Sequence, residues 1–148
     1  MENNEKDRPD GGDPGDKLVL IIDNDETILD WLYYIVSKEG FKVEQAADGE
    51  EALDKARLLR PGLILLNPML PQFCGIEILR KLQEDDTAGT PIVIVSGRRL
   101  DRDTLETLKR EPNVKDCVDK LVRPEVLAAL LHDLLKTRPA VKDETKGK

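Results

Sequence analysis

The stretch LILLNPMLP, residues 63–71, places an asparagine and two prolines directly after an uninterrupted aliphatic run. A strand with one face in water alternates apolar and polar residues, whereas a run this continuous is typical of a strand covered on both faces. We therefore predict that residues 63–66 form a buried strand of a parallel sheet. Asn67 is the first polar side chain to leave that strand, so the chemistry of the fold depends on what an amide does there.

Outward from this run, five apolar segments alternate with helical patterns. The apolar segments are residues 18–22, 41–46, 63–66, 92–95 and, more weakly, 116–118. The helical patterns cover residues 25–40, 49–59, 76–82, 100–110 and 124–134. In the second of these, we expect Ala52, Ala56 and Leu59 to face inward. Repeated β-α units with short links predict an α/β protein with a doubly wound parallel sheet and helices on both faces.

Composition limits the domain organisation and the kind of partner. The chain has 148 residues, a formal net charge of −7 and a sequence pI near 4.8. A single domain is expected at this length. Without a basic footprint we expect no direct contact with nucleic acid. No run is long enough for a membrane span and no secretory signal is recognisable, which predicts a cytoplasmic protein. We expect residues 1–16 to be a disordered acidic segment, residues 17–137 the folded domain, and residues 138–148 a flexible charged tail.

The cysteines and the single histidine suggest no metal or redox site. Cys74 and Cys117 are distant from each other in sequence and are expected to be reduced, small apolar side chains. His132 lies in a Leu-rich helical segment, where we expect it at the surface or at the edge of the core.

Polar side chains follow the predicted strands at the edge where their carboxyl ends meet. They are Asp23 and Asn24, Asn67, Ser96 and Lys120. In a doubly wound sheet the functional crevice lies at this edge. A carboxylate, two amides, a hydroxyl and an ammonium are suited to handling phosphate. The glycine patterns of dinucleotide-binding and P-loop proteins are absent from the sequence.

These features resemble the receiver domain of two-component response regulators. The resemblance runs from Lys17 to about Lys136 and is carried by LVLIIDND (18–25), GFKVEQAADGEEALDKARLLRPGLILL (40–66), MLP (69–71) and Gly75. It implies a flavodoxin-like, five-stranded parallel sheet in the order 2-1-3-4-5. It also implies a crevice in which an acidic pair holds Mg²⁺ and an aspartate accepts a phosphoryl group from a histidine kinase.

The resemblance assigns a role to each position of the crevice. The acidic pair falls on Asp23 and Asn24, and the phosphoacceptor falls on Asn67. The residue whose carbonyl reaches the metal, the hydroxyl residue and the lysine fall on Met69, Ser96 and Lys120 respectively.

The sequence departs from the family at the positions that matter most for chemistry. An amide is not nucleophilic, so Asn67 cannot form an acyl phosphate. Asp23 is the only remaining carboxylate and the residual candidate metal ligand, so Mg²⁺ binding is expected to be weak or absent. Lys120 can pair with Asp23 instead. Leu121 follows Lys120 where the family has a cis-proline, which predicts a trans bond. We therefore interpret the chain as a stand-alone, non-enzymatic pseudo-receiver.

A receiver without phosphorylation chemistry would act through its surface. The resemblance implies a signalling partner, such as a histidine kinase or a downstream regulator, or a second copy in a homodimer. We expect contact through the fourth helix, the fifth strand and the fifth helix, and through Tyr34 on the first helix. The candidates on the former surface are Arg98, Arg99, Arg102, Lys109, Cys117 and Arg123.

Two alternatives remain open. DNDET (23–27) also fits the signature of haloacid dehalogenase-type phosphatases, with Asp23 as nucleophile and Asp25 as general acid. That family's second acidic pair and its cap have no counterpart here. The other alternative is a conventional receiver that carries an engineered Asp-to-Asn change at position 67.

Overall fold

The computed structural model describes residues 11–70, 75–84, 89–97 and 100–139. Strands and helices alternate along the chain. The strands are β1 Leu18–Ile22, β2 Lys42–Ala46, β3 Leu63–Leu66, β4 Ile92–Ser96 and β5 Val114–Asp119. The helices are α1 Glu26–Lys38, α2 Gly49–Leu59, α3 Gly75–Leu82, α4 Arg102–Lys109 and α5 Pro124–Leu135. A short 3₁₀ turn, Pro14–Asp16, precedes β1.

The five strands form one parallel sheet in the order β2-β1-β3-β4-β5, which confirms the predicted fold class. In β3, Ile64 and Leu66 point toward α2, α3 and α4, whereas Leu63 and Leu65 point toward α1 and α5. Successive side chains of a strand face opposite ways, so a strand covered by helices on both faces must be apolar throughout. This is why the central run contains no polar residue.

The helix starts follow from local chemistry. Asp25 accepts a hydrogen bond from the Thr27 N–H and caps α1, and Asp101 accepts one from the Thr104 N–H and caps α4. Such caps satisfy N–H groups that have no partner inside the helix. None of the helices in the described part of the chain has the length and apolar character of a membrane span.

Two expectations about burial were wrong. Leu59 stays 38% exposed beside the left-handed Arg60 that ends α2, and Leu53 is buried instead. His132 is buried, because hydrogen bonds satisfy both of its ring nitrogens. Gly12 pairs with the chain after α5, and the predicted bounds of the disordered segment, the folded domain and the tail stay predictions. Residues 1–10 and 140–148 lie outside the described residues.

Candidate functional site

The carboxyl ends of β1 and β3 bring Asp23 and Asn67 side by side. Ile22 pairs in register with Leu66, and the Asn67 N–H donates to the Ile22 carbonyl at 2.9 Å, so the two chains stay together one residue beyond the strands. Asp23 is 1% exposed and Asn67 is 5% exposed. Two polar side chains therefore meet in a buried position, where each requires hydrogen-bond partners.

Both ends of the Asn67 amide are engaged. Its Nδ2 donates to Asp23 Oδ1 at 3.0 Å, and its Oδ1 accepts from the Met69 N–H at 2.9 Å. Asp23 Oδ1 also accepts from the Asp25 N–H at 2.9 Å. The amide thus links the end of β1 to the loop after β3.

Lys120 supplies the countercharge. Its backbone N–H donates to the Ser96 carbonyl at 2.9 Å, which holds the ends of β4 and β5 together. Its Nζ lies 3.4 Å from Asp23 Oδ2 and forms an ion pair without the angles of a hydrogen bond. The predicted pairing of Lys120 with Asp23 is therefore confirmed. The bond from Lys120 to Leu121 is trans, as predicted.

A cleft of about 450 Å³ opens above these side chains. Its walls include Asn24, Asp25, Asn67, Met69, Gly97, Leu100 and Lys120. Asn24 is exposed beside Asp25, and Ser96 is half-buried at the end of β4. The structure therefore gathers the six predicted positions at one edge of the sheet, with Asp23, Asn67 and Lys120 in direct contact.

The loop after β3 is shaped by a close backbone approach. The Gly75 N–H donates to the Pro68 carbonyl at 2.9 Å, and a Cβ on Gly75 would lie 2.7 Å from the Pro68 Cβ. Only glycine fits such a contact without a shift of the backbone. A neighbouring apolar groove of about 610 Å³, which sequence reasoning did not anticipate, lies between this loop and α4 and shares Met69 and Leu100 with the cleft.

Asp23 and Asp25, the two carboxylates of the phosphatase alternative, are already engaged within the protein. Asp23 is almost fully buried, and its two oxygens face the Asp25 N–H, Asn67 and Lys120. Asp25 uses Oδ1 to cap α1. A nucleophile must reach its substrate, so this arrangement disfavours Asp23 as one.

The predicted contact residues are dispersed over α1, α4, β5 and α5. Arg102, Lys109 and Arg123 are exposed, whereas Arg98 and Arg99 lie outside the described residues. Cys117 is half-buried against the core on the α2–α4 side, and burial raises the pKa of its thiol. Tyr34 is 61% exposed, with Lys38 Nζ 5.5 Å from its ring centroid.

Comparison with known proteins agrees with this architecture. A family model described as "Response regulator receiver domain" matches residues 19–132. The chain is 32% identical over 120 residues to the alkaline phosphatase synthesis transcriptional regulatory protein PhoP of Bacillus subtilis, covering 81% of this chain and 49% of that protein. It is 34% identical over 119 residues to the DNA-binding response regulator MtrA of Mycobacterium tuberculosis, covering 80% and 50%. The chain thus spans about half the length of these curated relatives.

Solved structures of receiver domains share this fold. The CheY-like response regulator receiver domain protein from Methanospirillum hungatei JF-1 superposes with a TM-score of 0.74 at 27% identity, covering 88% of this chain and 98% of that one. The chemotaxis protein CheY4 of Vibrio cholerae superposes with a TM-score of 0.72 at 25% identity, covering 80% and 98%.

Proposed function

The chain belongs to the response regulator receiver domain family, and we propose that it is a degenerate member, a pseudo-receiver, which acts by protein–protein contact without phosphorylation at Asn67. The observation that carries this proposal is the engaged amide of Asn67. Its nitrogen donates to Asp23 Oδ1 at 3.0 Å, so a carboxylate at position 67 would bring two acceptors together at that point. The amide completes the crevice and has no lone pair suited to attack on phosphorus.

The family implies a magnesium ion in this crevice, and the residues present do not fit one. Mg²⁺ requires several hard oxygen ligands in near-octahedral geometry, usually including carboxylates. Asp23 already accepts two N–H groups on Oδ1 and faces the Lys120 ammonium with Oδ2, while Asn24 is neutral. Within the described ranges, no group of three or more His, Cys, Asp or Glu side chains could hold a metal ion. We therefore assign no step to a metal, and weak or absent Mg²⁺ binding stays a prediction.

The surface around β5 and α5 supports a role in protein contact. Leu121 is 74% exposed and Val126 is 46% exposed, close in sequence to the exposed Arg123. Exposed apolar side chains beside an arginine are common at protein interfaces, and here the exposed acids Asp119 and Glu125 lie close in sequence to the same residues. The partner we propose is a signalling protein with an acidic docking surface. A second copy of the chain is the alternative occupant.

The first test is chemical. Wild type, Asn67→Asp and the double variant Asn24→Asp/Asn67→Asp are incubated with acetyl phosphate and Mg²⁺, and intact mass is measured. We expect no phosphoryl adduct on the wild type and a hydroxylamine-sensitive adduct on the double variant, in which two carboxylates are restored. An adduct on wild-type protein would refute the proposal. A chromogenic phosphate ester in a parallel tube tests the phosphatase alternative, which requires turnover that disappears in Asp23→Asn.

The second test concerns the surface. Sedimentation of the isolated chain distinguishes a homodimer from a monomer that docks on another protein. Charge reversal by Arg102→Glu and Lys109→Glu should weaken whichever association is found, whereas Lys81→Glu on α3, which is also exposed, should not. If all three substitutions act alike, general charge explains the association and the assigned surface is wrong.

A further inference from the structure

A buried polar network lies where the C-terminal ends of α1 and α5 meet. His132 and Glu39 are each 6% exposed and Thr137 is 5% exposed. His132 Nε2 lies 2.9 Å from Glu39 Oε1, and His132 Nδ1 lies 2.7 Å from Thr137 Oγ1. The imidazole also packs against Phe41, with ring centroids 4.9 Å apart. The three polar side chains thus connect α1, α5 and Thr137, which lies two residues beyond the end of α5.

The segment 11–17, which we call the strap, is attached to the same place. Gly12 and Thr137 form a parallel bridge, in which the Gly12 N–H donates to the Lys136 carbonyl at 2.8 Å and the Arg138 N–H donates to the Gly12 carbonyl at 2.9 Å. Pro14 is buried, and the chain then enters β1. Thr137 therefore lies between the two residues whose backbones bond Gly12, while its own N–H donates to the His132 carbonyl and its hydroxyl belongs to the network.

The backbone is shaped to allow this contact. Gly11 has φ +88, and a Cβ there would lie 2.5 Å from the Lys136 carbonyl oxygen. Lys136 itself adopts a left-handed conformation, with φ 58, directly after α5. A non-glycine residue rarely adopts that region unless its surroundings require it. Substitution at Gly11 should therefore separate the strap from Lys136, whereas Gly12 has only an ordinary contact, 3.7 Å from the same oxygen.

We propose that the strap is latched through Thr137 and His132 to the ends of α1 and α5, so that separation of these helices releases the strap and Thr137–Arg138 in one step. Glu39 belongs to the end of α1 and His132 to α5, so parting the helices breaks their hydrogen bond. A buried polar group that loses its partner is costly, which makes a fully satisfied network respond as a unit.

A surface cleft reaches one member of the network, Glu39. A cleft of about 200 Å³ between α1 and α5 is lined by Glu39 together with Tyr34, Ile35, Lys38, Pro124 and Glu125. A partner side chain that enters this cleft and moves the two helices apart would act on the network directly. The latch works through these contacts whether or not Asn67 is phosphorylated, so it stands apart from the proposed function.

Hydrogen exchange of single backbone amides tests the latch. Thr137→Val removes the hydroxyl and keeps the shape of the side chain. We expect the Gly12 and Arg138 amides to exchange at least tenfold faster in this variant, while the Leu65 amide in β3 is unchanged. His132→Leu should have the same effect on these two amides, because it removes the member of the network that lies on α5. Exchange of Gly12 and Arg138 within twofold of wild type in Thr137→Val would overturn the proposal.

The effect of the strap on the network can also be measured, because His132 is the one histidine in the sequence and its imidazole signals are therefore unambiguous. Gly11→Val should detach the strap and shift the imidazole ¹⁵N signals of His132. Gly12→Ala, the matched control, should leave them in place. Unchanged imidazole signals in Gly11→Val, with strap amides that exchange faster, would show that strap and network are independent and would refute the latch.

Discussion

Replacing Asn67 with aspartate is the sharpest test of the crevice, because it changes one nitrogen to an oxygen in a buried contact. In the wild type, Nδ2 of Asn67 donates to Asp23 Oδ1 at 3.0 Å. In Asn67→Asp, two carboxylate oxygens replace that donor–acceptor pair. The substitution is nearly isosteric, so the effect on folding is electrostatic rather than steric.

The magnitude follows from the distance. Two unit charges about 3 Å apart repel by about 5 kcal/mol at an effective dielectric of about 20. The Lys120 ammonium, 3.4 Å from Asp23 Oδ2, offsets part of that repulsion. We expect a net loss of about 2–3 kcal/mol of unfolding free energy without metal, and a melting temperature lower by about 5–10 °C.

The pH dependence has a defined sign. Beside a second carboxylate, the introduced carboxyl group holds its proton more tightly in the folded state than in the unfolded chain, so its folded pKa is raised. The variant should therefore match the wild type most closely near pH 4, below the folded pKa. It should lose stability relative to the wild type as pH rises toward 7.

Thermal melts at pH 4 and pH 7, with and without Mg²⁺, measure these effects. Mg²⁺ should restore part of the stability of Asn67→Asp at pH 7 and have little effect on the wild type. For the melts without Mg²⁺, Asn24→Asp is the matched control, because it adds the same charge on an exposed neighbouring side chain and should cost less than about 0.5 kcal/mol. If Asn67→Asp melts like the wild type at pH 7 and does not respond to Mg²⁺, the assigned crevice geometry is wrong.

Three further predictions concern single side chains. Lys120→Met removes the countercharge of a buried carboxylate and should lower the free energy of unfolding, measured in urea, by about 2–3 kcal/mol. The control Lys115→Met, at an exposed lysine, should lower it by less than about 0.5 kcal/mol, and equal effects would contradict the ion pair. Hydrogen bonds from Thr104 lower the pKa of Asp101, so the cap stabilises the fold above the unfolded carboxyl pKa, and this stability is lost as pH falls through the folded pKa. In thermal melts, Asp101→Ala should therefore destabilise the protein at pH 7 and much less at pH 3. A pH-independent effect would refute the cap. Because burial raises the pKa of the Cys117 thiol, iodoacetamide at pH 7.5 should react with this thiol more slowly than with the thiol of free glutathione. Peptide mass mapping measures the reaction at Cys117, and equal rates would contradict its burial.

Much of the crevice could be predicted because parallel strands share an edge. Because residues 18–22 and 63–66 are strands of one parallel sheet, Asp23 and Asn67 leave it at the same end. The pairing of Lys120 with Asp23 followed from opposite charges at that edge. The predicted contact surface remains a prediction, since which exposed side chains meet a partner depends on the partner.

The strap and the buried network could not be predicted in this way. Glu39, His132 and Thr137 lack a shared motif, and the first is separated from the other two by most of the chain. Their hydrogen bonds exist only because α1 and α5 pack on the same face of the sheet. A composition rich in Asp, Gly and Pro made the segment before β1 look disordered, although Gly11 and Pro14 have defined contacts.

Local patterns along the chain are therefore enough to predict the strands, the helices and the chemical character of the crevice, because hydrophobic periodicity and the residue that ends each strand are local properties. Tertiary packing alone places the Asn67 amide between Asp23 and the Met69 N–H, buries Asp23 against Lys120, and joins His132 to Glu39 and Thr137. Burial and hydrogen-bond partners depend on elements that are distant in sequence, and such contacts are defined only when the helices pack on the sheet.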